Sequence, residues 1–294
     1  MGTRFEVVLW GDEAPRLRAC AEAALERIAE LERRYSRFRP DSVLSFVNAH
    51  AGDRPVGIDA DTFELLAACA RAWLDSGGAF DPTIGPLMRA WGFHGEPGDV
   101  QAAAACVGMD GVRLHDAART VRFTRPGMSL DLGGIAKGQA LDEAAAIVRE
   151  AGVSCGLLHG GTSTVVAIGS PPGEAGWVVE VRGSPYRVVL NDRAMSVSEP
   201  SGRVVVRDGR RLGHVLDPRN GTPVDGARLA CVVGQSAMET DAWSTALLVL
   251  GARPSGMPRQ LTTLLPQQGG AWAVEGPDER LFWRSEKAER AEQE

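Results

Sequence analysis

The stretch Ser129–Gly152, SLDLGGIAKGQALDEAAAIVREAG, constrains this chain more than any other. A short apolar run ends in Asp131, passes through Gly133–Gly134 and enters a helix that reads from Lys137 to Glu150 and stops at Gly152. Asp131 and the glycines alone would make a serviceable capped turn. Lys137 does not fit that reading, because a cation at the positive end of a helix is unfavourable unless an anion shares the site. Two standard anion loops fail on inspection. A Walker A loop needs Lys followed by Ser or Thr, and here the order is Lys137–Gly138–Gln139; the dinucleotide fingerprint fails because the glycines fall at 133, 134 and 138. A glycine-rich turn with free backbone N–H groups and one lysine remains, compatible with a phosphate or with a plain structural turn.

The elements around it set the fold class. MGTRFEVVLWG alternates like a strand, and Pro15–Tyr35 places Leu17, Ala21, Ala24, Leu25, Ile28 and Leu31 at the helical period. RFRPDSVLSFVNAHAG reads as a loop, followed by a helix capped at Asp61, running to Asp75 and closed by Gly77–Gly78. AFDPTIGPLMRAWGF, broken by Pro and Gly, reads as neither clean helix nor clean strand. Strands are expected at Val112–Leu114, Thr120–Phe123 and Met128–Leu132, then as a series of short β-runs from Cys155 to Val233. A helix over Glu239–Leu250 and two strands around Gly269–Gly270 complete the series. Helices and strand clusters interleave without a βαβ rhythm, which predicts an α+β fold: a single compact unit of mainly antiparallel short strands with packed helices. That unit should cover residues 1–283, leaving 284–294 as a charged tail with no apolar face.

Composition narrows the function. With a formal net charge of −6 and no basic stripe interleaved with aromatics, broad electrostatic binding to nucleic acid or anionic membrane is disfavoured. The five cysteines show no CxxC spacing and lie mostly in apolar runs, as buried reduced thiols do. The five histidines form no zinc pattern. No basic-then-apolar leader opens the chain, Glu6 spoils a myristoylation pattern, and no run of roughly 18 apolar residues occurs. The expected compartment is the cytoplasm for the sequence as written, or an exported or membrane-anchored location if the true start lies upstream.

Three further segments could carry chemistry. In METDAWSTALLVLG, Asp241 and Thr245 are four apart and share a helix face. A carboxylate and a hydroxyl are hard oxygen ligands suited to Mg²⁺, although an acid early in a helix is also favoured by the dipole alone. His214 precedes the tight turn Asp217-Pro218-Arg219-Asn220-Gly221, where it is either a structural residue or a proton acceptor. In GGAFDPTIGPLMRAWGF the paired glycines before an aromatic and an acid allow close backbone approach to a flat ring, or only a turn.

Taken together these segments resemble the FAD:protein FMN transferase family. MGTRF is similar to that family's opening, FRPDSVLSFVN to its Ser/Asn loop, GGAFDPTIGPLMRAWGF to its Asp-x-Thr block, and DLGGIAKGQALD to its Gly-Gly-Ile-Ala-Lys-Gly segment. HVLDPRNGTPV and ETDAWSTALLVLG complete the order, from Met1 to about Gly251. The resemblance implies that FAD is the substrate and its pyrophosphate the missing anion, beside Mg²⁺. It implies ring and adenosine contacts from Met1, Phe38, Ala79, Phe80 and Asp81, a grip on the nucleotide end from Asp131 and Lys137, and Leu216 lining the pocket. It implies metal ligation by Asp241, Thr245 and the backbone carbonyl of Gly134, and a catalytic His214 assisting the attacking hydroxyl. The implied partner is an acceptor flavoprotein carrying a D-x-x-[ST]-G-A-[ST]-like motif, which this chain lacks. Thr162 after Gly160–Gly161, and SVSEPSG around Ser198, depart from the family's pattern. An Mg-dependent FAD pyrophosphatase and a non-catalytic flavin-binding protein are the competing readings; covalent flavin on an acceptor, AMP without it, or neither separates the three.

Overall fold

The computed structural model describes residues 3–285 except 203, 208 and 226–228. Its centre is a seven-stranded sheet in the spatial order Phe5–Leu9, Gly156–Gly160, Thr164–Ile168, Ala194–Ser198, Ala230–Gly234, Thr262–Pro266 and Trp272–Glu275. Every neighbouring pair is antiparallel. Side chains alternate across a strand, and here both faces are covered. Val166, Ile168, Ala230 and Val232 enter one core, whereas Val165, Ala167, Cys231 and Val233 enter another. This is why TVVAI and ACVVG are fully buried and, apart from Thr164, apolar, with no polar alternation.

The helices are α1 (Ala14–Arg34), α2 (Val43–His50), α3 (Ala60–Asp75), α4 (Gly85–Ala90), α5 (Val100–Ala104), α6 (Ala136–Glu150) and α7 (Ala237–Leu250). On the first face α1 lies along α6, α6 along α7, and α7 over the strands Ala194–Ser198 and Ala230–Gly234. A three-stranded sheet of Phe282–Arg284, Tyr186–Leu190 and Trp177–Glu180 closes the second face. A third layer, built on Val56–Gly57, Thr120–Phe123 and Val112–His115, accompanies α2 to α5. The α+β architecture with antiparallel sheets is the one the sequence predicts. No helix among the described residues is long and apolar enough to cross a membrane.

Local differences from the sequence reading have identifiable causes. The expected loop 37–52 ends at Ser42, whose Oγ accepts from the Ser45 N–H at 3.0 Å and starts α2. Asp59, not Asp61, caps α3 by accepting from the Thr62 N–H at 3.0 Å. The Pro-rich block 82–90 does form helix: a 3-10 turn Pro82–Ile84 capped by Asp81 runs into α4. Met128–Leu132 is no strand, because other partners take its backbone. Asn48 Oδ1 accepts from Leu130 N at 2.7 Å, Asn48 Nδ2 donates to Leu130 O at 2.9 Å, and Asp131 N donates to Pro82 O at 2.6 Å. The sequence reading does not include α5 or the strands Val56–Gly57 and Phe282–Arg284. All five cysteines are free thiols, and burial pushes those of Cys69 and Cys231 upward. Residues 286–294, most of the expected tail, lie outside the described residues.

Candidate active site

The site forms where the N-termini of α6 and α7 meet. α6 begins without a side-chain cap of its own, so its first-turn N–H groups need partners from elsewhere. Asp241, one turn into α7 and 3% exposed, supplies one: its Oδ2 accepts from the Gly138 N–H at 3.1 Å. The same carboxylate receives the Lys137 ammonium, with Nζ 3.1 Å from each oxygen, and the Thr164 hydroxyl at 3.4 Å. A buried carboxylate needs compensation of this kind. Lys137 Nζ also donates to the Gly133 carbonyl at 3.4 Å. The anion that the opening segment demands is therefore, in part, Asp241 itself.

Gly134 lies against the next turn of α7. A Cβ placed on it would come 3.2 Å from Thr245 Oγ1 and 3.3 Å from Phe80 Cε2, so a side chain here would crowd the hydroxyl and the ring. Gly134, Lys137, Asp241, Thr245 and Phe80 thus share one corner. Thr245 Oγ1 donates to the Asp241 carbonyl at 3.2 Å, which leaves the oxygen's acceptor capacity unused by that bond.

On the other side of the glycine turn stands Asp131. Its Oδ1 accepts from the Gly133 N–H at 2.9 Å; its Oδ2 meets Arg37 Nη1 at 2.9 Å and His94 Nε2 at 3.1 Å. Phe38, 66% exposed, turns its ring edge to His94 and lies under the Arg37 guanidinium. His94 Nδ1 is buried and takes no hydrogen bond among the described residues. Burial alone would raise the Asp131 carboxyl, but the hydrogen bond from His94, the Arg37 charge and the Gly133 N–H hold it below the usual carboxylate range. A carboxylate with a folded value below its unfolded one, about 3.9, stabilises the fold above that pH and loses the contribution as pH falls through the folded value. The stability gap between the protein and its Asp131→Asn variant, measured by urea unfolding, should be widest at neutral pH and close below about pH 4. A gap that is constant down to pH 2 would contradict this account of Asp131.

The sequence profile of the ApbE family matches residues 1–258. The chain belongs to the ApbE family. A Klebsiella pneumoniae protein named FAD:protein FMN transferase is 30% identical over 249 residues, covering 78% of this chain and 76% of that protein. The ApbE protein of Thermotoga maritima, a crystal structure, superposes with a TM-score of 0.83 at 29% identity, covering 100% of this chain and 97% of that one. Flavin transferase ApbE from Vibrio cholerae shares the fold at a TM-score of 0.78 and 23% identity, over 96% of each chain.

The remaining positions singled out in this ApbE-family chain divide into two groups. Ala79 and Phe80 are buried, the Phe80 ring beside Gly134 and Phe80 N donating to Ser76 Oγ at 3.1 Å. Asp81 faces the protein instead. Its Oδ1 accepts from the Thr83 N–H at 2.8 Å and the Thr83 hydroxyl at 2.6 Å, its Oδ2 from the Met109 N–H at 3.1 Å, and burial pushes its carboxyl upward. Leu216 packs with Leu87 and Met88 of α4. The Asp217 turn follows it onto the same block: Trp91 Nε1 donates to the Gly221 carbonyl at 2.7 Å, and Arg219 Cγ lies 3.7 Å from where a Cβ on Gly78 would stand. His214 lies against the 200–202 turn, its Cε1 3.0 Å from a Cβ built on Gly202. Met1 lies outside the described residues.

Sequence reasoning missed Arg37, His94, Thr164 and Asp142. Arg37 and Thr164 reach the site only because distant elements converge, and no spacing signals that. Asp142 clamps the start of α7, accepting from Ser236 Oγ at 2.7 Å, Ala237 N at 2.7 Å and Met238 N at 2.9 Å. An acid six residues into an amphipathic-looking helix gives no sign of this in the sequence.

Proposed function

We propose that this chain transfers FMN from FAD to a Ser or Thr hydroxyl of an acceptor flavoprotein, releasing AMP, with Mg²⁺ assistance. As a member of the ApbE family it is a transferase enzyme. The observation that carries the specific reading is the Lys137–Asp241 pair at the mouth of α6, flanked by Gly134 and Thr245. It combines a helix N-terminus, a cation and hard oxygen donors at one corner, which is the equipment for a metal-bound pyrophosphate.

The residues fit Mg²⁺. Asp241 offers a carboxylate, Thr245 a hydroxyl and Gly134 a carbonyl, and any Cβ at Gly134 would close on the Thr245 oxygen. No cluster of three or more His, Cys, Asp or Glu able to hold a metal occurs among the described residues. An ion with one carboxylate ligand suits Mg²⁺, which keeps waters and substrate phosphates in its shell. When bound, it would neutralise pyrophosphate charge and polarise the phosphorus under attack.

The chain's own groups do the rest in this reading. The Gly134 N–H and the Lys137 ammonium grip the pyrophosphate and stabilise the leaving AMP phosphate, while the Gly133 N–H stays on Asp131 and holds the turn in shape. Phe38 and Phe80 border the space for the rings, and the Asp131–Arg37–His94 set fixes the loop that carries Phe38. The acceptor oxygen forms a bond to the FMN phosphorus, the bond to the AMP oxygen breaks, and the hydroxyl proton passes to His214.

Incubating the protein with FAD, Mg²⁺ and a peptide bearing the D-x-x-[ST]-G-A-[ST] pattern tests this by mass spectrometry. Expected is a peptide heavier by one FMN unit, with AMP released in equal amount. AMP with an unmodified peptide would mean a pyrophosphatase; neither product would mean a binding protein. The grip on the nucleotide end also predicts that FAD binds at least tenfold more tightly than riboflavin in fluorescence-quench titrations. One charge-assisted hydrogen bond of about 1.5 kcal/mol suffices for that factor. Equal affinities would remove Lys137 and the glycine turn from the binding site.

A further inference from the structure

The Asp241 carboxylate is full. A carboxylate has about four acceptor positions, and four contacts occupy them: Lys137 Nζ and Thr164 Oγ1 on Oδ1, Lys137 Nζ and Gly138 N on Oδ2. A divalent ion can take an Asp241 oxygen only by displacing one of these donors. Gly138 N belongs to the first turns of α6 and is fixed by the helix, and Thr164 is wholly buried in the central sheet. Lys137 differs from both. Its ammonium rides on a flexible four-carbon stem, its side chain keeps 18% exposure, and its third contact, the Gly133 carbonyl, is long at 3.4 Å. Two cations on one buried carboxylate also repel each other strongly in a medium of lowered dielectric.

We propose that Lys137 is a placeholder for the metal: it neutralises Asp241 until a nucleotide pyrophosphate draws its ammonium away, and only then does the ion enter. This rests on the reading that a nucleotide pyrophosphate binds at the α6 N-terminus. The Gly133 carbonyl marks the way out, since the ammonium already reaches toward the glycine turn, whose Gly134 N–H would face the phosphates. Metal and nucleotide then bind cooperatively, each raising the other's affinity by the same factor, as linkage requires. The lysine guards against a bare ion in the site, and it arrives at the phosphates as the ion arrives at the carboxylate.

The test is direct metal binding, read by the paramagnetic resonance of free Mn²⁺, with ADP as the pyrophosphate probe and its own Mn²⁺ affinity subtracted. The wild-type protein should bind Mn²⁺ weakly alone and on the order of ten- to hundredfold more tightly with ADP. Lys137→Met should bind Mn²⁺ at least tenfold more tightly than wild type without ADP, with ADP adding little, and Asp241→Asn in that background should remove the gain. If Lys137→Met does not fold, Lys137→Gln provides the same comparison with a neutral hydrogen-bonding side chain. Mn²⁺ affinity that neither variant raises, or a gain that survives Asp241→Asn, would overturn the exchange. FMN transfer by the wild type is scored separately: transfer without any Lys137 effect on Mn²⁺ binding defeats the exchange alone. No transfer, with the Mn²⁺ coupling intact, defeats the transferase reading alone.

Discussion

Asp241→Asn is expected to lose two or more orders of magnitude in Mg²⁺-dependent FMN transfer while remaining folded. Metal assistance to phosphoryl transfer is worth several kcal/mol, and each ~1.4 kcal/mol is about tenfold in rate. Asp241 is the only full negative charge among the three proposed ligands. The choice of Asn over Ala follows from the packing. Alanine would strip partners from Lys137 Nζ, the Gly138 N–H and the Thr164 hydroxyl at once. Both substitutions break the ion pair, but Ala also leaves these buried donors with no acceptor, at about 1–3 kcal/mol each, so an inactive Ala variant would not separate lost chemistry from unfolding. The Asn oxygen can still accept from Gly138 N, and its amide can donate to Thr164 Oγ1. Thr245→Ala, which removes a neutral ligand that water can replace, should lose less than Asp241→Asn. The measurement is AMP release against Mg²⁺ concentration, with circular dichroism as the fold control. A folded Asp241→Asn protein with near-normal turnover at low Mg²⁺ would remove the metal from this corner.

The parts of the site that were legible in the sequence are those carried by local rules. Asp241 and Thr245 share a face because they are one helical turn apart, and Lys137 stood out because it opposes a helix dipole. What periodicity could not supply was the partner. That Lys137 meets Asp241, 104 residues away, depends on two helix N-termini being brought together over a sheet with both faces covered. The same limit explains Met128–Leu132. Its composition suits a strand, but the Asn48 amide and the Pro82 carbonyl satisfy its backbone more closely than any neighbouring strand. Long-range side-chain-to-backbone pairing of this kind overrides β-propensity and leaves no local signature. Helix starts were misplaced for a related reason. In 37–52 the cap, Ser42, stands inside a run of turn-forming residues, which hides the helix it begins.

Gly138→Ala is expected to be strongly destabilising, although it adds a single methyl group. In an ordinary helix this substitution gains up to about 1 kcal/mol through backbone entropy. Here a Cβ on Gly138 would stand 2.1 Å from the Ala237 carbonyl oxygen, 2.4 Å from its carbon and 2.6 Å from Met238 Cα. All three are backbone atoms, so no rotamer change can relieve the clash. Retreat of α7 is opposed by Asp142, which holds Ser236, Ala237 and Met238 at 2.7–2.9 Å. Overpacking usually costs about 1–3 kcal/mol, and with both sides fixed the expected loss is about 3 kcal/mol or more, net of the propensity gain. At roughly 2–4 °C per kcal/mol for chains of 150–250 residues, Tm should fall by on the order of 6–12 °C. Any α7 displacement also carries Asp241 and Thr245 away from Lys137 and Gly134, so transfer should fall even where the variant remains folded. Gly52→Ala is the matched control, because nothing lies within 4 Å of its Cβ position. Its stability should stay within about 0.5 kcal/mol of wild type, as surface changes do. If the two variants unfold at the same denaturant concentration, α6 and α7 do not approach through Gly138, and the glycine at 138 must answer to another constraint.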